Sequence, residues 1–201
     1  MIEFNNININ FEDKVLYKNF SIEFHKNSIN FIMGESGIGK STLIKYIKDD
    51  LILKGFNISV VFQENRLIPW INVYKNLDIV IKNKFNREDR KKKIDYILKE
   101  MNLSNCKMLY PHELSGGMKQ RINIARAMLY DGDIFIMDEP FKGLDKENKE
   151  NVIKLIKKYF YDKGKTAVII SHDIKEAEEI GDKIILLKGE PVEKEIIKKD
   201  Y

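Results

Sequence analysis

Two short segments carry residue types whose spacing fits phosphate chemistry. The first is Gly34-Glu35-Ser36-Gly37-Ile38-Gly39-Lys40-Ser41, followed by Thr42, a complete match to G-x-x-x-x-G-K-[ST]. Glycines let consecutive backbone N–H groups converge on phosphate oxygens, and a helix N-terminus adds positive potential. Lys40 reaches terminal phosphates, and Ser41 offers a hydroxyl to Mg²⁺. The flanks agree with that use: the apolar run INFIM ends at Met33 and a helical stretch, Leu43 to Ile47, follows. The second segment is Ile134-Phe135-Ile136-Met137-Asp138-Glu139-Pro140, a buried-strand pattern ending in two adjacent carboxylates. Strand ends are where open α/β sheets place ligands. Successive strand side chains point to opposite sides, so one carboxylate is expected to face a metal shell and the other an attacking water. Together the segments imply a nucleotide hydrolase, leaving kinase, GTPase, helicase and transporter motor open.

A third segment decides among these. Leu114-Ser115-Gly116-Gly117-Met118-Lys119-Gln120-Arg121, with Ile124, Ala125 and Arg126 on one helical face after it, sets a hydroxyl and bare N–H groups at a helix start. That is a second anion site. It resembles the LSGGxxQR signature of ATP-binding-cassette (ABC) ATPases, standing just upstream of the Asp138-Glu139 strand as in that family. Gln63 after ISVVF resembles the family's Q-loop, Gly143-Leu144-Asp145 its D-loop, and His172 in IISHD its switch histidine. The resemblance runs in order from about residue 2 to residue 188.

The resemblance implies an α/β P-loop NTPase fold: a mainly parallel core sheet, a reduced N-terminal antiparallel β-subdomain and an inserted helical arm at about 72–130, all in one nucleotide-binding domain over 1–201. It also implies that two chains pack head to tail, each ATP lying between the phosphate loop of one and the signature of the other. With one copy of each motif, the working unit is a homodimer, or a heterodimer with a similar chain. Residue roles carry over position by position. Gly34, Glu35, Ser36, Gly37, Ile38, Gly39, Lys40, Ser41 and Thr42 line the ATP phosphates, and Ser115, Gly116, Gly117, Gln120 and Asp145 serve the ATP of the partner. Ser41, Gln63 and Asp138 surround Mg²⁺. Glu139 is the general base, acting through position and local field because an ordinary carboxylate is a weak base. Lys40, Gln63 and His172 complete the catalytic set, and Phe11, in preference to Tyr17, stacks on adenine. His25 and His112 receive no chemical role.

Two departures from the family pattern stand out. Met118 occupies a position where many members have glutamine, and only 23 positions separate Lys40 from Gln63, well short of the family's interval. The shortening falls on the antiparallel subdomain, reduced here to LILKGFNIS.

Beyond the Q-loop, the run from Phe62-Gln63 through Leu67, Pro69-Trp70 and Val73 to Asn76 resembles the FQ-x-x-x-L-x-PW-x-x-V-x-x-N segment of nitrate, sulfonate and taurine importers. The stretch YPHELSGGMKQR points the same way. The resemblance implies an ATPase subunit of a small-solute importer, with Leu67, Pro69 and Trp70 facing an integral-membrane permease. An exporter motor would share every ATP-contacting residue, and the short Lys40–Gln63 interval leaves a weakly active cassette as a further alternative. A non-transport ATPase acting on DNA or ribosomes is disfavoured, because about 73 residues between Lys40 and Leu114 leave no room for a long coiled-coil insertion.

These segments need elements to hold them. Loose alternation at Ile2, Phe4, Ile7 and Ile9, then at Phe20, Ile22 and Phe24, predicts half-buried antiparallel strands. Short continuous apolar runs at Ile29–Met33, Ile134–Met137 and Ala167–Ile170 predict strands covered on both faces of a parallel sheet. Ile58–Phe62 and Ile184–Leu187 add two candidates, and helical patterns run over about 73–83, 87–101 and 116–130. After Gly189 a polar stretch predicts an edge strand or a loose end. Composition fits such a domain, with 43% hydrophobic and 33% charged residues, arguing against disorder. A net charge of +4 from 35 basic and 31 acidic residues gives no basic fold-wide surface, so REDRKKK at Arg87–Lys93 reads as a solvated helix face and no nucleic acid is expected. No apolar run spans a bilayer, and the start, MIEFNNININ, lacks the basic-then-apolar pattern of a signal peptide. The single cysteine, Cys106, suits a reducing compartment. The expected location is cytoplasmic, peripheral on the inner face of the cell membrane.

Overall fold

The computed structural model describes residues 1–11 and 14–197, the side chain of Phe11 excepted. In chain order the elements are β1 (Ile2–Phe11), β2 (Lys14–Phe24), β3 (Ile29–Gly34), α1 (Lys40–Leu53), β4 (Ile58–Val61), α2 (Val73–Asp78) and α3 (Arg87–Glu100). There follow α4 (Gly116–Tyr130), β5 (Ile134–Asp138), α5 (Lys146–Lys163), β6 (Thr166–Ile170), α6 (Ile174–Ile180), β7 (Lys183–Lys188) and β8 (Glu193–Ile197). The chain divides into two compact units. The first comprises residues 1–58, 133–139 and 159–201, the second 59–132 and 140–158.

The first unit holds a sheet in which β5, β6, β3, β7 and β8 are neighbours in that order. β3 runs parallel to both β6 and β7, with Phe31 opposite Ile169 and Ile184, while β8 closes the edge antiparallel to β7. The apolar runs are continuous because these strands are covered on both faces: all five residues of β6 are buried, as are Ile29 to Met33. Asn30 is the polar exception, and its amide is satisfied by the His25 and Ala167 carbonyls. A separate antiparallel pair, β1 and β2, carries Phe4, Ile7, Tyr17, Phe20, Ile22 and Phe24 into the same apolar core as α1. Its register slips between Phe4 and Asn10, and Asn6 and Asn19 adopt left-handed backbone, a conformation asparagine tolerates better than branched residues.

Residues 51–57 hold no strand. Leu51 to Leu53 finish α1, Gly55 turns with φ +85°, and the chain enters β4 at Ile58. The antiparallel subdomain among the described residues is therefore β1 and β2 alone.

In the second unit α2, α3 and α4 pack on one another. Asn72, Asn86 and Ser115 cap the three helices by accepting from Lys75, Asp89 and Met118 amides, which explains where each begins. The expected helix at 73–83 stops at Asp78. Beyond it, bonds three residues apart, Ile81 to Asp78 and Lys84 to Ile81, tighten the chain, and Arg90 takes Asp78 at 2.6 Å together with the carbonyls of Lys82 and Phe85. An apolar period continues through Leu77 and Ile81 although the α-helix does not.

Candidate functional site

The phosphate loop lies between β3 and α1. Gly34 sits at φ +152° with Leu187 carbonyl oxygen 2.8 Å from where a Cβ would stand, so only glycine fits the exit from β3. Lys40 bends back over the loop, its Nζ donating to the carbonyls of Gly34 (2.7 Å) and Glu35 (2.8 Å). An ammonium has three hydrogens, so one remains for a ligand. Burial lowers the Lys40 pKa, opposed by the carboxylates of Glu139 and Asp138. Ser41 is exposed and Thr42 half-buried at the start of α1. A cleft of about 670 Å³ runs along Gly34, Glu35, Ser36 and Ile38 to His172, a size typical of small-molecule sites.

Asp138 ends β5, but Glu139 is not the next residue of a strand. It adopts left-handed backbone at φ +48°, and its amide donates to Ile170 at 3.0 Å. The expected strand alternation of the two carboxylates is thus replaced by a turn, and the cost of a non-glycine residue there is of order 1 kcal/mol or more. That turn brings Glu139 to His172, whose Nδ1 stands 2.9 and 3.0 Å from the two carboxylate oxygens. A carboxylate only accepts, so Nδ1 carries the hydrogen. The Glu139 side chain is 14% exposed and that of His172 71%. His172 is set in turn by its neighbours. Buried Ser171 donates from Oγ to Glu176 at 2.5 Å and accepts the Asp173 amide at 3.0 Å.

Gln63, Ser115, Gly116, Gly117, Gln120 and Asp145 belong to the second unit. Gln63, Ser115, Gly116 and Asp145 are exposed, Asp145 just before α5, with Ser115 Oγ accepting the Met118 amide at 3.2 Å. Gly117 has no room for a side chain to spare, because a Cβ would meet Gly143 carbonyl oxygen at 3.1 Å. Asp145 caps the start of α5, accepting from Asn148 amide (3.0 Å) and side chain (2.7 Å), which holds its carboxyl below the usual range. Gln120 departs from the expectation of a phosphate contact. It is buried and donates to Pro140 carbonyl at 2.9 Å, because the helical period turns it inward. Of the two adenine candidates, the Phe11 side chain lies outside the described residues. Tyr17 is fully buried, so its ring offers no face for stacking.

The 63–71 loop is braced within the second unit. Asn76, fully buried, accepts Ile68 amide at 2.8 Å and donates to Ile68, Ile71 and Asn72 carbonyls. Asn123 reaches Asn65 at 2.8 Å and Arg126 the Arg66 carbonyl at 2.7 Å. Trp70 stands out from this frame at 77% exposure. Of its neighbours in the segment, Leu67 is half-buried and Pro69 exposed. No motif of the sequence marks Ser171 or Glu176 for these contacts, whereas Asn76 is the last letter of the Trp70 segment.

The ABC transporter family model matches residues 17–142. The aliphatic sulfonates import ATP-binding protein SsuB of Bacillus cereus is 31% identical over 190 residues, covering 87% of this chain and 74% of its own. The taurine import ATP-binding protein TauB of Roseobacter denitrificans is 30% identical over 210 residues, 94% of this chain and 78% of its own. The ATP-binding cassette MJ0796, solved as a post-hydrolysis dimer bound to ADP and Pi, superposes with a TM-score of 0.84 at 29% identity over the whole of both chains. This chain belongs to the ABC transporter family and is an ATP-binding, ATP-hydrolysing cassette.

Proposed function

We propose that the chain is the ATPase subunit of an importer for small solutes of the sulfonate, taurine or nitrate kind. It works as a homodimer on ATP binding, docked on separate membrane-embedded permease subunits at the cytoplasmic face of the cell membrane. No helix among the described residues is long and apolar enough to cross a membrane, so the permease is a separate requirement of this reading. The observation that carries the importer assignment is Trp70, an indole 77% exposed on a loop braced from three side chains. A rigid exposed aromatic is the kind of anchor that fills a partner's pocket. Leu67 and Pro69 lie beside it in sequence. Met108 and Tyr110 are also exposed, on a segment whose Lys107 and Leu109 carbonyls accept from the Tyr74 and Val73 amides. SsuB and TauB are import proteins by name, which supports the same direction of transport.

In hydrolysis, Lys40 and the amides of Gly37 to Thr42 hold the phosphates. Glu139 takes the proton of the attacking water. His172 donates to Glu139 and fixes the carboxylate's orientation, at the cleft that Gly34, Glu35, Ser36 and Ile38 line. Ser41 hydroxyl and Asp138 carboxylate are hard donors that fit Mg²⁺, Gln63 carries an amide oxygen of the same donor class, and among the described residues no group of three or more His, Cys, Asp or Glu competes with that assignment. Mg²⁺ characteristically takes few protein oxygens and completes its shell with phosphates and water. When bound, it neutralises charge on the transferring phosphoryl group. Lys40, Glu139 and His172 are assembled despite the short Lys40–Gln63 interval, which favours an active cassette over a weakly active one.

The test is ATP-driven uptake in vesicles holding the chain with its co-expressed permease, supplied in turn with taurine, an alkanesulfonate and nitrate. Uptake of one of them, lost with Trp70→Ala while basal ATPase persists, is the expected result. ATPase activity indifferent to the permease, or outward transport alone, overturns the importer reading.

A further inference from the structure

The last residue before Lys40 is held by the antiparallel β1–β2 pair, and the manner of holding has a chemical consequence. Gly39 is the N-cap of α1 at φ +107°. Its carbonyl accepts two hydrogen bonds: the Leu43 amide at 3.0 Å, which opens the helix, and the Tyr17 hydroxyl at 3.1 Å. Both lone pairs are then engaged. A peptide is planar, with its C=O and N–H pointing in opposite directions. Tying down the Gly39 oxygen therefore aims the Lys40 N–H the other way, out of the helix N-terminus and toward the space where phosphate amides converge. On the second side, Leu16 packs against Gly39 so closely that a Cβ there would lie 2.8 Å from Leu16 Cδ2.

The clamp itself is rigid. Tyr17 is fully buried, its ring meets Phe20 edge-on at 5.0 Å, and Val192 amide bonds Leu16 carbonyl at 3.0 Å. Burial raises the phenol's pKa above its ordinary value, so the hydroxyl remains a donor through the alkaline range.

We infer that Tyr17 is a positioning residue for ATP binding: its buried hydroxyl fixes the Gly39–Lys40 peptide so that the first amides of α1 are presented to the phosphates before ATP arrives. Tyr17 touches no substrate atom itself. The inference rests on the reading of Gly34 to Thr42 as the phosphate cradle.

The experiment compares wild type with Tyr17→Phe, Phe20→Leu and Lys40→Ala, measuring KM and kcat for MgATP and the melting temperature without nucleotide. Tyr17→Phe keeps the ring and deletes the hydroxyl. Losing one buried hydrogen bond of the usual strength is expected to raise KM about three- to tenfold with kcat within about twofold. Phe20→Leu loosens the same aromatic pair without touching the hydroxyl, and is expected to lower the melting temperature while leaving KM alone. Amide hydrogen exchange at residues 40–42 is expected to accelerate in Tyr17→Phe and not in Phe20→Leu. An unchanged KM in Tyr17→Phe, or an equal rise in Phe20→Leu, overturns the inference by making Tyr17 a packing residue. A wild type that binds no MgATP, or a Lys40→Ala variant that binds it equally well, overturns the cradle reading and the inference with it.

Discussion

Replacing Asn76 by alanine is the sharpest test of how the Trp70 loop is held. Asn76 is fully buried and uses all of its amide. Oδ1 accepts Ile68 amide at 2.8 Å, and Nδ2 donates to Ile68 (3.2 Å), Ile71 (3.0 Å) and Asn72 (3.1 Å) carbonyls. The Asn72 carbonyl also accepts the Asn76 backbone amide and the Ile68 carbonyl the Ile71 amide, so these two losses count for little. The Ile68 amide and the Ile71 carbonyl lose their Asn76 partner, and a stranded donor alone costs about 1–3 kcal/mol, making about 2–4 kcal/mol for the two together. For a chain of this length that lowers Tm by about 4–16 °C, measured by calorimetry without nucleotide. Asn76→Asp keeps the Oδ1 acceptor but turns a second carboxylate oxygen onto the Ile68, Ile71 and Asn72 carbonyls in a buried place, so it should destabilise at least as much as alanine. Vesicle uptake should drop in step with loop disorder while hydrolysis per folded molecule persists, since Asn76 touches none of the catalytic residues. A Tm for Asn76→Ala within about 1 °C of wild type refutes the bracing argument.

Other outcomes follow from the same geometry. Glu139→Gln should retain MgATP binding and lose turnover by about 10² or more, as removal of a general base does; steady-state hydrolysis at wild-type rate excludes Glu139 from that role. Trp70→Ala, at an exposed position, should move Tm by no more than about 2 °C and abolish permease-stimulated hydrolysis, so a large Tm loss would make Trp70 a structural residue. Gly181→Ala sets a Cβ 2.6 Å from Ala177 carbonyl oxygen and 2.8 Å from the Phe31 ring, and should destabilise by about 1–3 kcal/mol in denaturant titrations. Lys40 gives a pH dependence. Burial lowers its pKa and phosphate binding requires the charged form, so MgATP binding should take up protons and weaken as pH rises toward the lysine range. Lys40→Arg should flatten that alkaline limb in binding titrations, and an unchanged limb would place the titration on another group.

Much of the site was legible because its conformation is written locally. The phosphate loop is built from its own backbone: Lys40 closes on carbonyls five and six residues away, and Ser115 caps a helix whose accepted amide lies three residues on. The strands were equally plain, since β3, β5 and β6 are buried on both faces and carry unbroken apolar runs. Helix α2 was overextended because apolar period survives in a run of tight turns. Gln120 was assigned to ATP by analogy of motif, whereas its burial depends on which face of α4 packs inward.

By itself the sequence determined the kind of chemistry, through residue types at spacings that few other functions need, and the elements that display it. Only the tertiary structure decided which long-range partner each group meets. Glu139 leaves its strand in a left-handed turn and finds His172, 33 residues away, and Tyr17 finds Gly39 across 22. Lys183, almost wholly buried, finds Glu23 across 160 and lowers that carboxyl's pKa. These pairings depend on strand register and on which face of an element is covered, quantities set by the packing of the whole core rather than by any neighbouring residue.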